Sequence, residues 1–129
     1  MAVEAADMRG KMQRIKRQMP QAEVKEVLRT RKTAHVATKD AQGWPYITPL
    51  VYIYEDGDLL YLHSGDNQGH FLTNLQHDTR VCLEVADIGP LHQGQPYACN
   101  SALVYTSVVI FGNITTYYDR ERKTWFLDR

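Results

Sequence analysis

The densest chemistry in the chain lies at residues 59–71, Leu59-Leu60-Tyr61-Leu62-His63-Ser64-Gly65-Asp66-Asn67-Gln68-Gly69-His70-Phe71. Two imidazoles, one hydroxyl and two glycines fall within eight positions, from His63 to His70. The pattern predicts a strand, then a polar turn, then the start of a short helix. Backbone N–H groups at such a helix start have no partners of their own and suit an anion, above all a phosphate. His63 and Ser64 stand where the chain leaves the strand, and Gly69 and His70 where it enters the helix.

Other chemistries find little support. His63, His70 and Cys82 do not have zinc-ligand spacing, so no metal site is expected. Ser107 lacks a Gly-x-Ser-x-Gly context, which argues against a hydrolase nucleophile. No Gly-x-Gly-x-x-Gly occurs, which argues against a dinucleotide fold. Cys82 lies in an alternating run and reads as core; Cys99 lies in a loop, and both read as free thiols. His35, His77 and His92 read as surface or packing residues. Trp44, Tyr46, Tyr52, Tyr54, Tyr61 and Tyr105 read mainly as core and interface packing.

The elements that must position the turn are legible on both sides of it. Met8, Met12, Ile15 and Met19 have helical spacing and predict a helix over 8–19. Pro20 breaks it and opens a second helix whose stripe is Ala22, Val24, Val27 and Leu28. From residue 33 the period becomes two, with Ala34, Val36 and Thr38 on one face. Asp40 to Gly43 is a turn, and Tyr46 to Tyr54 a long strand interrupted only by Pro49. Glu55-Asp56-Gly57-Asp58 predicts a hairpin turn, with Leu59 to Ser64 returning from it. A short helix is expected over 69–77, with Phe71, Leu72 and Leu75 inward. Arg80 to Ala86 is the next strand. Gly89, Pro90, Gly94 and Pro96 predict a long loop over 87–101. A long strand over 103–117 follows, with Gly112 as a bend or bulge. Asp119 would cap a last helix bearing Trp125, Phe126 and Leu127. Five strands in mainly hairpin order, with flanking helices, predict a mainly β domain: a small antiparallel split β-barrel.

With 129 residues, the chain suits a single domain over 1–129, its helical residues 1–32 packed on the barrel. No apolar run reaches about 18 residues, and residues 1–20 lack a signal-peptide core, so no membrane span and a cytoplasmic protein are expected. The chain stops inside a helical pattern without a C-cap, which reads as either a truncated chain or a shortened member of its kind lacking a closing strand. Net charge is zero but uneven. Residues 9–32 hold nine Lys/Arg against Glu23 and Glu26, a net +7, while residues 33–118 are −6. A basic arm can be a nucleic-acid footprint, but no base-stacking or groove-reading motif accompanies it, so an amphipathic segment docking on its own or a partner's barrel is preferred.

The run from Ala34 through Val85, with Tyr105-Thr106-Ser107-Val108-Val109 and Gly112, resembles the pyridoxamine 5′-phosphate oxidase-like split-barrel proteins. Within them it is most similar to the nitroimidazole-resistance-type flavoproteins. The specific pieces are Pro45-Tyr46, Thr48-Pro49-Leu50, Leu62-His63-Ser64 and Gly69-His70. The resemblance implies a homodimer that binds FMN in clefts between subunits and passes electrons from NADH or NADPH to a small oxidised substrate. Thr48, Pro49 and Leu50 would line the flavin ring, and His63 and Ser64 the ring or ribityl chain. Gly69 and His70 would meet the phosphate, with Ser107 contributing a hydroxyl. His63 could also deliver a proton, since an imidazole titrates near neutral pH. The family's Gly-His-Lys reads Gly-His-Phe here, so Phe71 replaces a phosphate-binding lysine. His70, Thr73 and backbone N–H groups would then hold the phosphate, helped by Arg31, Lys32 or Arg80. The alternative is a sensing or binding barrel without turnover, holding haem, another flavin or nothing.

Overall fold

The computed structural model describes residues 7–65, 69–92, 102–118 and 120–128. Its first regular helix, α1 (Gln21–Thr30), begins directly after Pro20, whose missing N–H costs nothing at a helix start. Val27 and Leu28 turn into the core, and Val24 packs against it. Strand β1 (Thr33–Lys39) alternates as its sequence demands, burying Ala34, Val36 and Thr38. It forms a hairpin with β2 (Pro45–Ile53). Asp40 closes that hairpin by accepting from the N–H groups of Gln42 and Trp44 at 2.9 and 2.8 Å, while Gly43 supplies a φ of +89°.

A second tight turn follows β2. There the Asp56 carboxylate accepts from the Gly57 N–H, the φ of Gly57 is +77°, and the Tyr54 hydroxyl donates to the Gly57 carbonyl. The returning strand β3 is only Tyr61–His63. Helix α2 (His70–His77) carries the chain across to β4 (Arg80–His92), which pairs with β1 and with β5 (Ala102–Asn113). Helix α3 (Arg120–Leu127) ends the described chain.

All pairings are antiparallel, in the order β3-β2-β1-β4-β5. One face of the curled sheet holds the core, with Val36 and Val85 almost fully buried and α1 and α2 laid against it. The sheet is not closed. Between β5, α1 and the 57–60 turn lies a cleft of about 450 Å³ lined by Val24, Leu28, Tyr54, Leu60, Val108 and Ile110. The architecture is the small antiparallel split β-barrel anticipated from the strand pattern.

Several expectations need correction. The helix over 8–19 does not form; the segment holds a single 3-10 turn, Ile15–Arg17. Met8, Met12 and Ile15 stay 65%, 46% and 75% exposed, so nothing rewards the entropy of a helix that short. The strand expected to end at Ala86 runs six residues further, to His92, into the expected loop. Gly89-Pro90 is absorbed as an irregularity in the β4–β5 register between Ile88 and Leu91. Gly112, by contrast, pairs regularly with Val81. β5 ends at Asn113, short of Tyr117. Cys82 is half-buried on the outward face, not in the core, because it alternates with the inward Leu83. Cys99 and the Asp119 cap lie outside the described residues.

Candidate functional site

The direction of each β2 residue follows from one hydrogen bond. The Tyr52 N–H donates to the Lys32 carbonyl at 2.9 Å, so even-numbered β2 residues aim their backbone groups toward β1. Odd-numbered residues aim theirs the other way. There β3 pairs only with Val51, Tyr52 and Ile53. Among the described residues, then, the edge of β2 from Pro45 to Pro49 has no strand partner. It presents the Ile47 N–H and the carbonyls of Pro45, Ile47 and Pro49. The two prolines fall where a missing donor breaks no ladder hydrogen bond.

Side chains follow the same alternation. Thr48 and Leu50 lie opposite Val36 and Ala34 on the core face, and Leu50 packs against the core. Pro49 lies opposite His35 on the outward, exposed face. His63 pairs with Val51 and so faces outward, where its ring stacks on Phe126 of α3 at 5.2 Å. Beside it Tyr61 meets Trp125 edge-on at 4.8 Å. Ser64 leaves β3 half-buried. Ser107, opposite Ala86, faces outward near the far edge of the sheet.

At the other end of β2, His70 stacks on Tyr46 with ring centroids 3.9 Å apart. Gly69 is the N-cap residue of α2, and its carbonyl accepts from both the backbone N–H and the hydroxyl of Thr73, each at 3.1 Å. Thr73 therefore spends its proton on the helix. Buried Asn74 anchors α2 to β1 by donating to the Thr38 hydroxyl at 3.0 Å. Phe71 points into the core at 8% exposure.

The site residues therefore form separate groups. Gly69, His70 and Thr73 surround the start of α2 on the core side. His63 and Pro49 occupy the outward face, and Ser107 lies strands away. Tyr46 and Val51, which mark the two histidines along β2, are five residues apart, roughly 16 Å at strand rise. A single subunit does not bring His63 and His70 together. Sequence reasoning missed the Ile47 backbone, Phe126 and the stacking role of Tyr46, because each depends on a contact between distant elements. Only the proline spacing, 45 and 49, carried a signal for the free edge.

The cations are largely engaged. Arg31 is paired with Asp87, and Arg80 donates to Asp78 at 2.7 and 3.0 Å. Lys39 approaches the same Asp78 carboxylate at 3.6 Å. Arg80's hydrogen bonds, with its charge and that of Lys39, hold Asp78 far below the usual carboxylate range. Lys32 is exposed and forms no ion pair among the described residues. No cluster of three or more potential metal ligands occurs among them, and no helix there is long and apolar enough to cross a membrane.

Comparison with solved structures gives several likenesses. A protein from Bacteroides thetaiotaomicron described as a 5-nitroimidazole antibiotic resistance protein is 27% identical, with a TM-score of 0.68 over 84% of this chain and 63% of its own. A flavocytochrome from Azotobacter vinelandii is 29% identical, with a TM-score of 0.71 over 86% of this chain and 50% of its own. A FAD-binding protein from Mesorhizobium loti is 25% identical, with a TM-score of 0.61 over 85% of this chain and 69% of its own. This chain thus spans between half and about two thirds of these relatives. No curated protein matches by sequence. The family profile described as pyridoxamine 5′-phosphate oxidase matches residues 20–129, from the first residue before α1 through α3. With that match over most of its length and this open sheet, the chain belongs to the pyridoxamine 5′-phosphate oxidase family.

Proposed function

We propose that this chain binds a flavin, FMN first, and acts in the cytoplasm as a homodimeric oxidoreductase. The observation that carries the reading is the unpaired edge of β2, which runs toward the start of α2. A flavin ring offers C4=O, N3–H and C2=O along one side. The Ile47 N–H can donate to one of those ring carbonyls while the Ile47 carbonyl accepts from N3–H. Pro49 would cover the ring, while the free N–H groups at the start of α2, with His70 held by Tyr46, favour the phosphate. No close lysine replaces the one lost at Phe71, so affinity rests on neutral donors; Lys32, opposite Tyr52, lies at the far end of β2 from His70.

When bound, the flavin would supply hydride and electron transfer, while the chain supplies position and electrostatics. The Ile47 N–H would hold the ring edge. His63, oriented by Phe126, would hold a proton for a small oxidised substrate on the outward face, with NADH or NADPH as electron donor. The outward sheet face, described below, suits a second subunit, which would bring a second set of groups to each cleft.

Titration with FMN, FAD and haemin, followed by visible absorbance and flavin fluorescence, tests this. Saturable flavin uptake, weakened about tenfold in His70→Ala, is expected, a change of about 1.4 kcal/mol. NADH or NADPH oxidation by the loaded protein should then fall in His63→Ala without loss of flavin. A Soret band with haemin and no flavin uptake would replace the proposal with a haem-binding barrel.

A further inference from the structure

Most of the basic segment 8–19, and the outward face of the sheet away from the α3 contacts at β3, are left uncovered among the described residues, and they match. The segment carries five Lys/Arg and no acid, with Met8, Met12 and Ile15 exposed. The outward face exposes Ile47, Val51, Val109 and Phe111 by 64%, 51%, 52% and 49%. Residue alternation puts all four on one surface, continuous across β2, β1, β4 and β5. Glu84 stands within it, paired in register with His35 on one side and Val109 on the other. It is exposed and forms no ion pair among the described residues. A lone carboxylate inside an apolar patch is costly to cover unless the covering surface brings a cation.

On its own subunit Arg9 is paired with its neighbour Asp7 at 2.9 Å. Lys11, Arg14, Lys16 and Arg17 are exposed and form no ion pair among the described residues, and Met8, Met12 and Ile15 stay exposed beside them.

We infer that segment 8–19 of one subunit lies across the outward sheet face of a second copy, seating Met12 and Ile15 against Ile47 and Phe111 and an arginine on Glu84. The inference rests on the homodimer proposed above. Methionine is well suited to an uneven apolar surface of this kind. On that surface the segment can complete the helix its spacing encodes, because burial then offsets the ordering cost.

The test uses the natural thiol of Cys82, which lies on the same face. Met12→Cys in a Cys99→Ser background is oxidised mildly and compared with Asp58→Cys, placed in the turn beyond the opposite end of β2. A disulfide-linked dimer from Met12→Cys, absent with Asp58→Cys, is expected. Glu84→Lys should cut that yield severalfold, and adding Arg14→Glu and Arg17→Glu should restore it. Light scattering and flavin uptake are measured on the same samples. Dimer mass without the intermolecular disulfide overturns the arm contact while the dimer stands. Monomer mass throughout overturns both. Salt-sensitive retention of segment 8–19 on DNA or anionic vesicles, in place of cross-linking, assigns the arm to another partner and overturns the inference.

Discussion

At the scale of single residues, Tyr52 shows how a sequence position becomes structural. Its ring is 2% exposed and its hydroxyl donates to the Leu28 carbonyl at 2.7 Å, joining β2 to α1. Burial pushes its phenol above the ordinary range. Tyr52→Phe should cost about 1 kcal/mol in denaturant unfolding, with the Leu28 carbonyl left unpaired. Asp78 gives a pH signature. Its folded pKa is depressed, chiefly by Arg80, so its stabilisation is complete above the unfolded carboxylate range and fades as pH falls below about 4. The melting-temperature gap between wild type and Asp78→Asn should therefore be largest near neutrality and shrink toward pH 3. The residues able to do chemistry were legible by type, since His63, Ser64 and His70 announce themselves. Which face each would occupy was not, because a one-residue difference in register exchanges the two faces of a strand.

Elements were legible where period and tertiary contact agree. α1, β1 and α2 follow their apolar spacing, and each lies against the core. The 8–19 segment has equally good spacing and does not form its helix, for among the described residues only Met19 of its stripe packs against the core. β4 outran its expected end because a Gly-Pro pair, usually a breaker, fits an irregularity of register. α2 is held by a polar bond no periodicity reveals. Asn74, 1% exposed, and Thr38, 4% exposed, satisfy each other inside the core. Thr38→Val should destabilise by about 1–3 kcal/mol, since it strands the Asn74 amide, and Thr38→Val with Asn74→Leu should recover part of that loss. Chemical denaturation of the three variants checks it.

At the scale of the molecule, the sheet has one face committed to its own core and one face apolar yet open. Phe111→Glu lies in the open face, 49% exposed, so it should leave the melting temperature of the monomer nearly unchanged while shifting light-scattering mass from two chains toward one. The prolines at 45 and 49 carry a further consequence. They bracket a single amide donor on a strip of carbonyls. Such a strip cannot template another extended chain, which needs donors and acceptors in alternation. The border that would welcome a planar guest is thereby guarded against fibril-like growth. Pro49→Ala should restore the missing donor, and the purified variant should then show a faster rise in turbidity and thioflavin signal on gentle warming than the parent does.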